Sequence, residues 1–209
     1  MAGKDAGTAA PGTVRAGGRT ARVRAAVLEA ALEELAADGY ATLSIERIAE
    51  RSGVHKTTIY RRWQSKEAVL ADAVGDLVET LFPIQTTGVI DHDLQVFARA
   101  LADLLSSDSP IVIGAVRALF SDAAHDPRIA ELKRNLYARR YDEARAIVRA
   151  AIERSDLPSD TDTRELVGLI SAPIYYRFLV TQEPLDHAVA DRAAATALIA
   201  VRAGACRTR

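Results

Sequence analysis

Residues 43–67 read LSIERIAERSGVHKTTIYRRWQSKE, and the fold turns on this stretch. Ser44 is a good N-cap, and Ile45, Ile48 and Ala49 after it have the spacing of a short helix with one buried face. Gly53 ends that helix, because the chain must turn there through a positive-φ conformation that glycine adopts at least cost. A second short helix is predicted over about 55–62, and Ser65 caps a third, over about 66–81. Ala49 lies four residues before Gly53 and Ile59 six after it. The small residue lets two helices cross closely. Ile48, Val54, Ile59 and Trp63 then lock the pair against a preceding helix. Two short helices joined in this way form a helix-turn-helix.

The outer face of the second short helix follows from a rotation of about 100° per residue. With Ile59 inward, Trp63 stays inside at about 40°, while Thr57 and Arg61 lie about 160° away on opposite sides and point out. Thr58 and Tyr60 flank them, and His55 and Lys56 open the helix. Such a face suits the major groove of double-stranded DNA. An arginine pairs with guanine edges, and threonine methyls meet thymine methyls. The Tyr60 hydroxyl and Lys66, just after the Ser65 cap, are placed to donate to phosphate oxygens. No Asp or Glu occurs between Arg51 and Lys66, although the chain as a whole is slightly acidic.

Working toward the N-terminus, a helix is predicted over about 20–37, with Val23, Val27, Ala30, Ala31 and Leu35 on one stripe and Gly39 as its cap. Residues 1–19 hold five glycines and a proline and almost no large apolar side chain, so disorder is expected there. Arg15, Arg19, Arg22 and Arg24 fall in a window without acids, from Ala6 to Leu28. Either this is a solubilising tail or it is a basic arm that follows the DNA backbone.

Working toward the C-terminus, the pattern stays helical, with no alternating strand run and no repeat. Pro83 and the TTG at 86–88 mark a break. Helices are then expected from Asp93 to Leu105, from Pro110, from Asp126-Pro127 to about Arg154, over about 162–181 and over about 186–203. The last is rich in alanine (188, 190, 193, 194, 195, 197 and 200), which permits close helix approach. Two such helices per chain would build a four-helix dimer interface, or else serve as an ordinary internal core. Pro173 sits inside the penultimate helix and removes a hydrogen bond to Leu169, so that turn should loosen. Tyr175, Tyr176 and Phe178 follow it, and Phe97, Phe120, Tyr137 and Tyr141 stand on other helices. These seven aromatics either line a ligand cavity or simply pack.

Composition narrows the field. The chain has 209 residues, 49% hydrophobic and 26% charged, with a formal net charge of −1. Residues 1–66 hold 11 basic and 7 acidic residues, and 67–209 hold 16 and 21. One end is thus suited to a polyanion and the other is not. A single cysteine, Cys206, excludes an internal disulfide and a thiolate metal cage. No apolar run approaches the ~20 residues of a membrane span, and no secretory signal is visible, so a cytoplasmic protein without membrane association is expected. His55, His92, His125 and His187 are not spaced as metal ligands, and no nucleophile elbow, P-loop or dinucleotide glycine string occurs. No metal and no cofactor are therefore expected, and no enzyme. A helical adaptor or helical enzyme that does not touch DNA is the competing reading.

GVHKTTIYRRWQSKEAVL resembles the recognition segment of the tetracycline-repressor (TetR) family of bacterial transcription regulators, and LSIERIAERS resembles that family's second helix. SAPIYYRFLVTQEPLD at 171–186 is similar to a class of C-terminal domains in the family. The resemblance implies an all-α chain: a disordered basic arm over 1–19, a three-helix DNA-binding domain over 20–68, and a larger helical ligand-binding and dimerisation domain over 69–209. It implies a homodimeric repressor on a palindromic operator, released by a small-molecule inducer. On that resemblance Ser44, Lys56, Thr57, Thr58, Tyr60, Arg61 and Lys66 match DNA-contacting positions. Lys56-Thr57 departs from the family's common Lys-Gly pair, and Arg61-Arg62 from its frequent aromatics or histidine, so the operator's base sequence does not carry over.

Overall fold

The computed structural model describes residues 16–121 and 125–208. Nine α-helices occur among the described residues: α1 (Ala16–Asp38), α2 (Ile45–Ser52), α3 (Lys56–Arg62), α4 (Lys66–Leu81), α5 (Ile90–Leu105), α6 (Pro110–Phe120), α7 (Pro127–Glu153), α8 (Thr163–Tyr176) and α9 (His187–Arg202). The one extended pairing among them is an isolated bridge between Thr161 and Arg207.

The helix ends fall where side chains satisfy the free backbone N–H groups of a first turn. Ser44 accepts from the Arg47 N–H, Ser65 from Ala68, Asp126 from Arg128, Asp162 from Arg164 and Glu165, and Asp186 from Val189. Gly53 ends α2 with φ 67°, the left-handed turn that its position requires.

Three boundaries differ from expectation. Helix α1 begins at Ala16 rather than near residue 20. Glycine costs only about 1 kcal/mol in a helix, and continuation into a well-packed stripe offsets it. Residues 1–15, the rest of the expected arm, lie outside the described residues. Helix α5 begins at Ile90 rather than at Asp93. The Asp93 backbone N–H already bonds to Val89 O, and its carboxylate reaches back to accept from the Thr87 N–H and the Thr86 and Thr87 hydroxyls. Helix α8 ends at Tyr176 and widens into a π-turn over Arg177–Thr181, the loosening that Pro173 foreshadowed but shifted toward the C-terminus.

Two apolar cores form. The first is built on α1 (Val27, Ala31, Leu35) and takes in Ile45, Ile48, Ile59 and Trp63, then Val69, Leu70 and Val74 of α4. It also takes in Ala115, Ala118 and Leu119 of α6, and Ile129 and Leu132 of α7, so packing crosses residue 68 freely. At Gly114 α6 runs so close to α1 that a Cβ would lie 2.9 Å from the Ala36 Cα. The second core joins α5, α8 and α9 with the end of α7, through Leu94, Leu101, Val148, Leu166, Ile170, Ile174, Ala194 and Leu198. Arg99 of α5 clamps Asp191 of α9 with two bonds of 2.7 Å.

Candidate functional site

Helix α3 is held from below. Ile59 is fully buried, and Trp63, at its end, is buried with its indole N–H donating to Asp72 at 2.9 Å. The opposite face is free. His55 (which caps nothing with its side chain), Lys56, Thr57, Tyr60, Arg61 and Arg62 are exposed, Tyr60 by 47%. Thr58 is half-buried at the flank. Lys56 reaches Glu46 of α2 at 3.4 Å, and Arg62 stacks over the Trp63 ring at 5.1 Å. No carboxylate among the described residues lies within ion-pair reach of Arg61 or Arg62. Arg62, absent from the face expected of this helix, is exposed beside Arg61.

Other basic residues of this end are spent on the fold. Arg47 and Arg51 of α2 converge on the buried Glu34 of α1, and Arg47 also pairs with Asp38. The Arg51 hydrogen bond, with that of Arg47, holds the Glu34 carboxyl below the usual range against the opposing effect of burial. Arg24 pairs with Asp72 and Asp76 of α4. On α3, by contrast, Arg61 and Arg62 have no carboxylate partner among the described residues.

Two expected contacts have second employments. The Ser44 hydroxyl caps α2 at 3.2 Å from the Arg47 N–H. The Lys66 ammonium donates to the backbone oxygens of Leu43 (2.9 Å) and Tyr40 (3.2 Å) and sits 4.3 Å above the Tyr40 ring. A lysine has three N–H donors, so one is left. Tyr40 in turn donates to Glu67 at 2.8 Å, and Arg128 at the start of α7 pairs with Glu67 at 3.1 Å and with the capping Asp126 at 2.9 Å. The Arg128 hydrogen bond and the capped backbone N–H bring the Asp126 carboxyl down to about 2.

The helical body holds a cavity of ≈ 310 Å³ between α4, α5, α6, α7 and α8. Of the seven aromatics singled out, Phe97, Phe120, Tyr137, Tyr141 and Tyr175 line it. Tyr176 does not: one residue further round α8, it is 58% exposed. Phe178 lies beyond the wall, edge-on to the Phe120 ring at 6.4 Å. The Tyr137 and Tyr175 hydroxyls bond to one another at 2.6 Å inside the cavity wall. The remaining lining is apolar, with Phe82 among it, apart from Ser171 and Arg140. Arg140 escaped sequence reasoning because α7 carries six arginines; its place on the stripe Tyr137, Tyr141, Ala144, Val148 was the available signal. No group of three or more potential metal ligands occurs among the described residues, and no helix there is long and apolar enough to cross a membrane.

A helix-turn-helix with an exposed cationic face, on a helical body with an internal cavity, defines a DNA-binding regulator of the bacterial kind. Comparison with known proteins agrees. Residues 27–73 match the bacterial regulatory proteins of the tetR family, and residues 84–197 match the tetracyclin repressor-like C-terminal domain. The chain is 30% identical over 162 residues to the HTH-type transcriptional regulator YdeS of Bacillus subtilis (strain 168), covering 77% of this chain and 80% of that protein. It is 29% identical over 174 residues to the HTH-type transcriptional regulator AqdR of Rhodococcus erythropolis, covering 81% and 82%. Among solved structures, the TetR family transcription regulator SCO0332 superposes with a TM-score of 0.70 at 33% identity, over 86% of this chain and 98% of that one. The chain belongs to the TetR family of DNA-binding transcriptional regulators.

Proposed function

We propose that this protein is a homodimeric, ligand-responsive repressor that binds a palindromic operator through α3, with about 20–68 as the DNA-reading unit and 69–209 as the ligand-binding and dimerising one. The observation that carries this reading is the exposed face of α3, where Arg61 stands free of acidic partners opposite the buried Ile59. Thr57, Thr58 and Arg61 read base edges, and Ser44, His55, Lys56, Tyr60 and Lys66 meet the backbone. The cavity takes the effector, and its aromatic wall supports that role.

The partner copy docks on α8 and α9. Among the described residues, five of the nine large hydrophobic side chains left exposed, Leu169, Tyr176, Leu179, Val180 and Ile199, lie on these two helices and the π-turn between them, with Ile199 71% exposed. Such an apolar face on the last two helices favours a two-fold four-helix interface. Ile199→Asp should shift the protein to monomer in analytical ultracentrifugation and weaken operator binding with it. A dimer unchanged by this substitution would move the interface elsewhere.

The direct test is fluorescence anisotropy with DNA flanking the protein's own gene, across a salt series, against scrambled duplex. Competitor-resistant binding with a steep salt slope is expected. Absence of binding at low salt would remove the DNA-reading role from α3 and return the helical adaptor to consideration.

A further inference from the structure

Arg140 is the exceptional residue of the cavity. It is only 9% exposed and lines a space whose other walls are nearly all apolar. Its guanidinium binds Glu143 at 2.7 Å and the Phe82 backbone oxygen, and lies 4.5 Å over the Phe82 ring. Its Nε–H is buried without any acceptor, the one such side-chain nitrogen or oxygen among the described residues. A buried donor left unmade is costly, and a site that tolerates one is commonly completed by a ligand.

A second donor stands in the same wall. The Tyr137 and Tyr175 hydroxyls share one hydrogen bond, so one of the two protons has no acceptor in the pair. Burial pushes both phenols up, which keeps them protonated donors. No carboxylate lines the cavity.

Charge decides between anionic and neutral ligands. The Arg140 charge is already matched by Glu143, and its neighbour Arg139 by Glu79 at 3.3 Å. Lys133 lies against the Phe120 ring but not in the lining. A carboxylate entering here would add an unmatched buried charge, whereas a neutral carbonyl would satisfy donors and add none. The volume of ≈ 310 Å³ holds about ten groups of the size of a water or a methylene.

We propose that the effector is a compact, uncharged, apolar molecule carrying a carbonyl oxygen (a ketone, ester or lactone of roughly ten heavy atoms) whose oxygen accepts from Arg140 Nε–H and from the Tyr137–Tyr175 pair. This rests on the reading of the cavity as the effector site.

The test titrates the full-length protein with nonan-2-one, octanoate and nonane, three probes of similar size, by calorimetry and thermal shift. The ketone should bind about tenfold or more tightly than either of the others. Arg140→Lys, which keeps the charge but has no Nε–H, should bring the ketone down to the level of nonane. Gly168→Leu fills the cavity from a position with open space at its Cβ and should weaken all probes, whatever the folding of the arginine variant. Octanoate binding more tightly than the ketone would overturn the neutral class. Nonane equal to the ketone would overturn the reading by Arg140. Failure of all three up to their solubility limits, or Gly168→Leu binding as wild type, would overturn the cavity as the site. DNA affinity is measured alongside: ketone binding without loss of DNA upholds this chemistry while overturning the proposed ligand response.

Discussion

The two ends of the molecule solve opposite problems. Around α2 and α3, Ser44 and Ser65 cap α2 and α4, Glu34 is pinned by two arginines, and Ile48 and Ile59 are fully buried. Between α4 and α8 comparable apolar residues surround a cavity of ≈ 310 Å³ instead. Reading a rigid duplex requires a face held to a fraction of an ångström, and close packing supplies it. Accepting a small molecule requires space, and space weakens cohesion. The contrast predicts a more cohesive DNA end and a more adaptable body.

Truncation on the two sides should separate them most. Ile59→Ala, in the first core, should cost about 2–5 kcal/mol, and Leu104→Ala, half-buried at the cavity wall, about half as much, measured by urea unfolding. Equal costs would erase the contrast. On the DNA side, Arg61→Ala should lose roughly 1–3 kcal/mol of specific binding and relax preference at one base pair. Uniform weakening on all sequences would reassign Arg61 to phosphate. Lys66→Ala should lower the salt slope by about 1 and, because its ammonium holds the Tyr40 and Leu43 oxygens, should also reduce stability by about 1 kcal/mol. An unchanged slope with reduced stability would make Lys66 purely a clamp. The smallest effect is acid lability. Glu34 at one end and Asp93 at the other both have carboxyls held below their ordinary values, Glu34 first by its Arg51 bond and Asp93 by the Thr87 and Thr86 donors against burial. Their contribution is complete above the unfolded values of about 4 and disappears as pH falls through the lower folded ones. Asp93→Asn should flatten that decline; an identical pH profile for wild type and variant would show that Asp93 takes no part.

The same contrast governs what was legible in the sequence. Caps, glycine and small residues are local signals, so α2, α3 and α4 fall within a residue of expectation. The start of α1 was hidden because Gly17 and Gly18 read as breakers while packing further along carries the helix through them. The start of α5 was placed three residues late because the bonds from Thr86 and Thr87 to the Asp93 carboxylate are not reported by helical periodicity. Ser44 was legible as the cap of α2, but the Lys66 bonds to the Tyr40 and Leu43 backbone oxygens are ones that no side-chain pattern reports. The cavity was half visible: five of seven aromatics reached it, yet an aromatic at helical spacing looks the same beside a void as beside a leucine. Arg140 was invisible among other arginines until its Nε was seen without a partner.

The seam at Gly114 bears on how such proteins can be recombined. Because α6 touches the backbone of α1 there, with a Cβ only 2.9 Å from Ala36 if one were added, the head and body share a surface that lies in neither segment alone. A chimera joined after residue 68 would bring a foreign α1 against this α6. The join that preserves function is therefore one that transplants the α1–α6 contact as a unit, with glycine kept at the crossing.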